Sequence, residues 1–314
     1  MWRPGWGEVG SDRATGIRYK SPMHELLRLW LGLAVFVLML SVGMDCTGGG
    51  FRRTAARPLL LVVATLVQYV CIPALMLAVV FLLRIPPGVA TALILVSACP
   101  SGTISNAYTF LSRGNTSLSV ALTAISNLVA LAATPLAVAA AAALAGAEIA
   151  SSLAFPPGAL LRQLLFAMLL PLGLGFALRR RFEGWVIGNL KRIRAICLVL
   201  IVSVVTLSVL MKPAEIAGHM RDLAAPVLII TPVLFAVALA VSRAFGLGAG
   251  DRRAILFELP CRNVALAMLI SMTVLGRPEL AFVAVAFFIL ESILLLGMAA
   301  VIVRADRSRR ARAA

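Results

Sequence analysis

The sequence predicts an all-α membrane protein of nine transmembrane helices, and three observations carry that prediction. Of its 314 residues, 61% are hydrophobic and 13% charged, and the mean hydropathy is +1.00, far above that of an ordinary soluble domain. Nine apolar stretches each approach or exceed the roughly 20 residues that cross a bilayer as a helix. Basic residues, which leave the chain at a net charge of +16, collect at alternate connections between those stretches.

The predicted spans are residues 26–45, 58–82, 87–112, 116–146, 159–178, 193–211, 223–245, 254–275 and 279–303. The fourth is overlong for one crossing, so it must tilt or run past the bilayer surface. Arg52, Arg53 and Arg57 follow the first span, Arg113 the third, and Arg179 to Arg181, Lys191, Arg192 and Arg194 the fifth. Arg243, Arg252 and Arg253 follow the seventh, and Arg304, Arg307, Arg309, Arg310 and Arg312 the ninth. The other connections are poorer in charge. Nine crossings with the N-terminus outside and the C-terminus in the cytoplasm fit this pattern. Grouping by membrane side, rather than along a stripe, also argues against nucleic acid as the reason for the charge.

Residues 1–23 are polar and glycine-rich, contain no apolar run suited to a signal peptide, and are expected as an extracytoplasmic tail. Residues 304–314 are expected as a basic cytoplasmic tail facing anionic lipid. Cys46, Cys71, Cys99, Cys197 and Cys261 are scattered without paired spacing, which implies neither a disulfide framework nor a zinc site. His24 and His219 sit at membrane edges or loops, so a histidine proton relay is not expected, and Asp45 reads as a boundary residue.

Two spans are interrupted by polar and helix-breaking residues. "ACPSGT" places Pro100 and Gly102 inside the third span, and "FELPCRN" places Glu258, Pro260, Arg262 and Asn263 inside the eighth. In hydrocarbon an unpaired backbone group is costly, so such breaks survive only where protein or an aqueous cavity surrounds them. One proline alone reads equally well as an ordinary kink. Two breaks with clustered polar residues, five spans apart and so entering the membrane in opposite senses, point instead to an inverted repeat of the kind secondary transporters use to hold substrate and ions near the midplane. The repeats expected are residues 24–146, broken near 99–103, and 158–303, broken near 258–263.

At these residues the chain resembles the bile acid:sodium symporter superfamily. "CPSGTISNAYTFLSRGNTSLSVALTAISNL" (99–128) is similar to that family's motif at its first broken helix, and "FELPCRNVALA" (257–267) stands where its E-x-x-x-Q-N motif belongs. The resemblance covers about residues 26–303 and implies a panel of spans 1, 5 and 6 and a core of the other six, with spans 3 and 8 crossing at their breaks. Alternating access would come from core moving against panel, with substrate in the cleft between them.

Position by position, the resemblance implies a first sodium site at Ser105, Asn106, Ser119, Thr123 and Glu258. Hard-cation chemistry agrees, since these are carboxylate, hydroxyl and amide oxygens, and Ser119 and Thr123 share one helix face. Each hydroxyl alone has a plainer reading as a bond to its own i−4 carbonyl. The family's second site departs: Gln68 and Glu258 match and Leu259 and Cys261 can offer carbonyls, but Arg262 occupies the last ligand position. A guanidinium has five donors and no acceptor, so it cannot bind sodium, and its fixed charge stands in for the second ion. At most one transported sodium is therefore expected. Arg262 lies four residues after Glu258, close enough to pair with it, and Glu291 in the ninth span reads as a partner for Arg262, a protonatable coupling group or a substrate ligand.

Thr103 and Ile104 begin the half-helix after the first break, where backbone amides and the positive helix end favour anions, and Asn263 adds a side-chain contact. With the amides of Ser101 and Gly102, these residues suit an organic anion, and the resemblance implies a bile-acid-like compound, steroid conjugate or small carboxylate. The expected partners are that anion and the bilayer of the cell membrane; no obligatory protein partner is evident. Two rivals remain at this level. Cys99 and Cys261 at the breaks suit a metalloid exporter, and Glu291 suits sodium-independent or proton-coupled transport. An enzyme is not expected, because no nucleophile-elbow, zinc-protease or paired-aspartate motif is present.

Overall fold

The structure is a computed structural model that describes residues 22–313, with side chains described for residues 22–308. Most of the expected outer tail, residues 1–21, and the side chains of Arg309, Arg310 and Arg312 lie outside the described residues. The chain forms α1 (Pro22–Asp45), α2 (Gly48–Ala55), α3 (Pro58–Leu82), α4 (Pro87–Ala98), α5 (Ile104–Leu111), α6 (Thr116–Ala145) and α7 (Ala147–Ser152). It continues as α8 (Pro157–Arg181), α9 (Glu183–Met211), α10 (Pro213–Ala244), α11 (Ala249–Glu258), α12 (Val264–Thr273) and α13 (Pro278–Ala313).

Seven of these, α1, α3, α6, α8, α9, α10 and α13, are long and apolar enough to cross a membrane. The two remaining predicted spans are each divided into shorter helices, α4 with α5 and α11 with α12, at the two sequence breaks. Proline starts α3, α4, α8 and α10, where its missing N–H is one of the helix's unpaired donors in any case. Asn115 caps α6, its side-chain oxygen accepting from the Leu118 amide at 3.1 Å. Residues 304–313, expected as a tail, continue α13 as helix.

Two features escaped the sequence reading. α3 and α8 each contain a π turn, Val67–Cys71 and Leu165–Leu169, two residues before Pro73 and Pro171 respectively. A proline ring collides with the carbonyl four residues earlier, and a wider turn relieves that collision. The π turn in α3 carries Gln68 and Tyr69, so a packing adjustment also positions polar groups.

α1 packs along α8 and α9. At Gly43 and Gly175 the α1 and α8 backbones touch: a Cβ on Gly175 would overlap the Leu40 carbonyl and stand 3.0 Å from the Gly43 Cα. Such small-residue contacts are how membrane helices approach closely without a hydrophobic driving force. Elsewhere α13 packs on α10, α12 and α4. Leu29, Phe81, Leu136, Leu210 and Val301 remain exposed, as an apolar surface turned to lipid requires. At one end of the bundle, Asp251 at the start of α11 receives Arg57 at 2.7 Å and the Asn115 amide at 2.8 Å, and Arg253 meets Asp306 at 2.8 Å. These bonds tie the first turn of α11 to the starts of α3 and α6 and to the far end of α13.

Candidate cation and anion site

The two breaks meet. Ser101 and Arg262 form an antiparallel bridge, isolated from any strand, in which the Gly102 amide donates to the Cys261 carbonyl at 3.2 Å and the Asn263 amide to the Pro100 carbonyl at 2.8 Å. Each break thus satisfies backbone groups the other exposes, which answers the cost of irregular backbone at this depth. Gly102 is needed for the approach, because a Cβ there would stand 2.6 Å from the Arg262 carbonyl oxygen.

Glu258, the last residue of α11, is completely buried. Ser105 donates to its Oε2 at 2.8 Å, Ser119 to the same oxygen at 2.9 Å, and Thr123 to Oε1 at 2.8 Å. Asn106 joins through the Thr123 hydroxyl, whose oxygen lies 3.4 Å from the Asn106 Oδ1. All five residues of the expected first site therefore converge. The plainer reading holds at the same time for Thr123, which also lies 3.0 Å from the Ser119 carbonyl. Among the described residues no cationic side chain stands within 4 Å of this carboxylate. Burial and the negative end of the α11 dipole both disfavour an unneutralised carboxylate here, a charge that a proton or a bound cation would balance.

Arg262 departs from both pairings expected of it. Its guanidinium, 2% exposed, bonds neither Glu258 nor Glu291. Nη1 donates to the carbonyls of Gln68 and Cys99, each at 3.2 Å, and Nη2 to that of Leu259 at 2.8 Å. The physical reason lies in helix ends. Cys99 and Leu259 cap the C-termini of α4 and α11, where carbonyls lack intrahelical partners, and Gln68 lies in the π turn of α3. Three backbone oxygens from three helices form the kind of cage a cation occupies, and the tethered guanidinium fills it.

The Gln68 side chain faces elsewhere: its Oε1 accepts from the Ser126 hydroxyl, and that hydroxyl's oxygen accepts from the Ser101 amide at 3.1 Å. Ser126, Asn127 and Thr109 were not singled out in the sequence. Thr109 donates to Ser119 at 3.3 Å, and Asn127 to the Thr123 carbonyl at 2.7 Å. A signal existed, since Ser119, Thr123, Ser126 and Asn127 recur at positions i, i+4, i+7 and i+8 of an otherwise apolar helix. Glu291 is buried on α13 and, among the described residues, makes no ion pair.

Beside the bridge a narrow cleft, about 50 Å³ in volume, opens between α1 and α9 on one side and the two breaks on the other. Leu38, Ile201 and Val205 face Thr103, Ile104 and Asn263 across it, with Phe288 of α13 closing one wall. The mostly apolar wall with few polar groups is the usual chemistry of small-molecule sites. The Asn263 oxygen caps α12 through the Leu266 amide at 3.1 Å, while its buried Nδ2 has no partner. The amides of Ser101 and Gly102, expected to hold a carboxylate, are instead spent on Ser126 and Cys261. Closing the bridge takes precedence over exposing those donors, which leaves Thr103 and Ile104 at the helix start. Cys99 and Cys261 are buried free thiols.

Comparison with known proteins agrees with this geometry. Residues 32–219 match the Sodium Bile acid symporter family. The chain is 31% identical over 198 residues to the "Uncharacterized sodium-dependent transporter YocS" of Bacillus subtilis, covering 63% of this chain and 57% of that protein. It is 41% identical over 112 residues to the "Probable sodium/metabolite cotransporter BASS2, chloroplastic" of Oryza sativa subsp. japonica, covering 34% of this chain and 27% of the relative. It is 29% identical over 118 residues to "Sodium/bile acid cotransporter 4" of Mus musculus, covering 38% and 27%. The chain thus matches little more than half the length of the first relative and about a quarter of the other two. These relatives are transporters rather than enzymes, and the family's coupling ion is sodium. With its apolar helices, crossed breaks and matched residues, the chain is a multi-pass membrane protein that belongs to the Sodium Bile acid symporter family.

Proposed function

We propose that this protein is a secondary transporter of an organic anion that works by alternating access and is coupled to at most one sodium ion. The observation that carries the reading is the contrast at the breaks: an oxygen-lined carboxylate with no cation beside it, and next to it a carbonyl cage already filled by Arg262. Ser105, Asn106, Ser119, Thr123 and Glu258 form the sodium site. Gln68 is the remnant of a second one.

In this reading the two divided helices complete nine crossings, with the N-terminus outside and the C-terminus in the cytoplasm. Two inverted repeats, 24–146 and 158–303, give a panel of α1, α8 and α9 and a core of the remaining long and divided helices. The panel rocks against the core across the cleft at Leu38, Ile201 and Val205, so that the bridge faces each side in turn. The anion's charged end sits at the Thr103 and Ile104 amides and the free Nδ2 of Asn263, and its apolar body lies along the aliphatic wall. A bile-acid-like compound, a steroid conjugate or a small carboxylate fits that division, and the names of the relatives, metabolite and bile acid cotransporters, support it.

Thermal stability of the purified protein in sodium, against choline and potassium at matched ionic strength, tests the ion site. A sodium-specific rise that disappears in Glu258→Ala is the expected result. Its absence in the wild type would sink the sodium reading and favour the second one, proton coupling through Glu291, which is buried and free of ion pairs among the described residues.

A further inference from the structure

At the end of the bundle where α1 finishes and α6 starts, three helices each contribute two apolar residues one turn apart. Val42 and Cys46 at the end of α1 pack with Val120 and Ala124 of α6, and Leu172 and Phe176 of α8 pack against them. The first four are buried. A spacing of four residues places each pair on one helix face. Three such faces meet in a layer that contains no charged, amide or hydroxyl side chain.

The two sides of that layer are held differently. On one side α1 is fixed to α8 and α9: a Cβ on Gly43 would overlap the Leu172 carbonyl oxygen, and Arg194 donates twice to Asp45, at 3.0 and 3.2 Å. On the other side α6 is fixed to the crossing, because Ser119 and Thr123 donate to Glu258. Between the two sides lies only apolar contact, which parts without breaking a hydrogen bond.

The position of the layer gives it a task. Val120 and Ala124 directly follow Ser119 and Thr123, about 100° round the helix from them. Ser119 and Thr123 are three and seven residues from the start of α6, only about 5 and 10 Å along its axis. At that end α11 is tied down by Arg57 and Asn115 on Asp251, and by Arg253 on the Ser112 carbonyl at 2.9 Å. Those bonds join elements of the core to one another, so a moving panel leaves them intact. The apolar layer joins panel to core, and it is the cover that such a movement removes.

We propose that this layer is the gate between the Glu258 pocket and the membrane surface at which α1 ends. The inference rests on the panel-and-core reading above. The closed layer and the converged oxygens occur in the same structure, so a cation that binds those oxygens favours the closed gate. An amide placed in the layer does the opposite, because it lacks a partner while the layer is closed and meets water when it opens.

Cys46 is the natural reporter. The purified full chain is treated with a charged, water-soluble maleimide, and modification of each cysteine is followed by peptide mass spectrometry. Cys99 and Cys261, buried at the breaks, report general loosening. Ala124→Asn is expected to speed modification of Cys46 about tenfold while Cys99 and Cys261 stay at their wild-type rates, and Val42→Asn should do the same should the first variant fold poorly. Sodium, against choline, should slow modification of Cys46 in the wild type about threefold. Cys46 rates that stay at the wild-type value in both variants, or that rise only together with those of Cys99 and Cys261, overturn the gate. A sodium-specific rise in melting temperature with no change in the Cys46 rate overturns its link to the ion site. Sodium that alters neither quantity removes the ion-site reading instead, and the two asparagine variants still decide the gate.

Discussion

The two polar pockets at the crossing differ in what supplies their oxygens and in what fills them. Around Glu258 the oxygens come from side chains of α5 and α6, and the group at the centre is a carboxyl. Around Arg262 they come from backbone carbonyls of the π turn and of two helix ends, and the centre is a tethered positive charge. In the proposed mechanism, the side-chain oxygens on the buried carboxylate hold a mobile cation. Orphan carbonyls make a site that accepts any cation, including one attached to the chain. In the proposed mechanism, Arg262 alone accounts for the second kind being permanently occupied.

The largest effect expected on that contrast is at Glu258. Glu258→Ala should abolish the sodium-specific rise in melting temperature, since three hydroxyls lose the anion they surround; a rise that survives would place the ion elsewhere. Next comes Arg262→Gln, which empties the carbonyl cage and restores an amide in its place. Sodium dependence should steepen from one ion toward two, read as the Hill slope of the stability titration. An unchanged slope would mean the arginine does not stand in for an ion.

A smaller effect is expected where the pockets are held together. Gly102→Ala should destabilise the protein by about 1–3 kcal/mol, the usual cost of overpacking, because its Cβ would stand 2.6 Å from the Arg262 carbonyl oxygen. Melting in choline measures it, and a neutral result would show that the bridge is free to open. The smallest effect belongs to Glu291→Gln. Both Nη atoms of Arg262 are held by carbonyls and none by Glu291, so the sodium midpoint should stay within about twofold of the wild type, a difference of under 0.5 kcal/mol. A large shift would mean that Glu291 and Arg262 are coupled after all.

Much of this was legible in the residues. The limits of α3 match the predicted span, and the divisions of the third and eighth spans fall at Pro100 and Pro260, because apolar length and helix-breaking residues are local properties. Glu258 and the four residues around it were legible as a set because their motif carries its spacing with it. The partner of Arg262 was not. Charge complementarity pointed to carboxylates, whereas the guanidinium bonds backbone oxygens, which every residue has and no sequence pattern marks. The π turns were equally hidden: Pro73 and Pro171 could as well have produced kinks, and the choice depends on what packs around them.

By itself, then, the sequence determined that this chain lies in a membrane, where its helices begin and break, and which oxygens surround Glu258. Those follow from hydropathy, proline geometry and motif spacing, all read within a short stretch of chain. Only the tertiary structure decided that the breaks pair through Ser101 and Arg262, and that Arg262 fills a cage drawn from α3, α4 and α11. The physical reason is that helix ends and π turns expose backbone groups whose partners come from distant parts of the chain, and only packing brings them within hydrogen-bond reach.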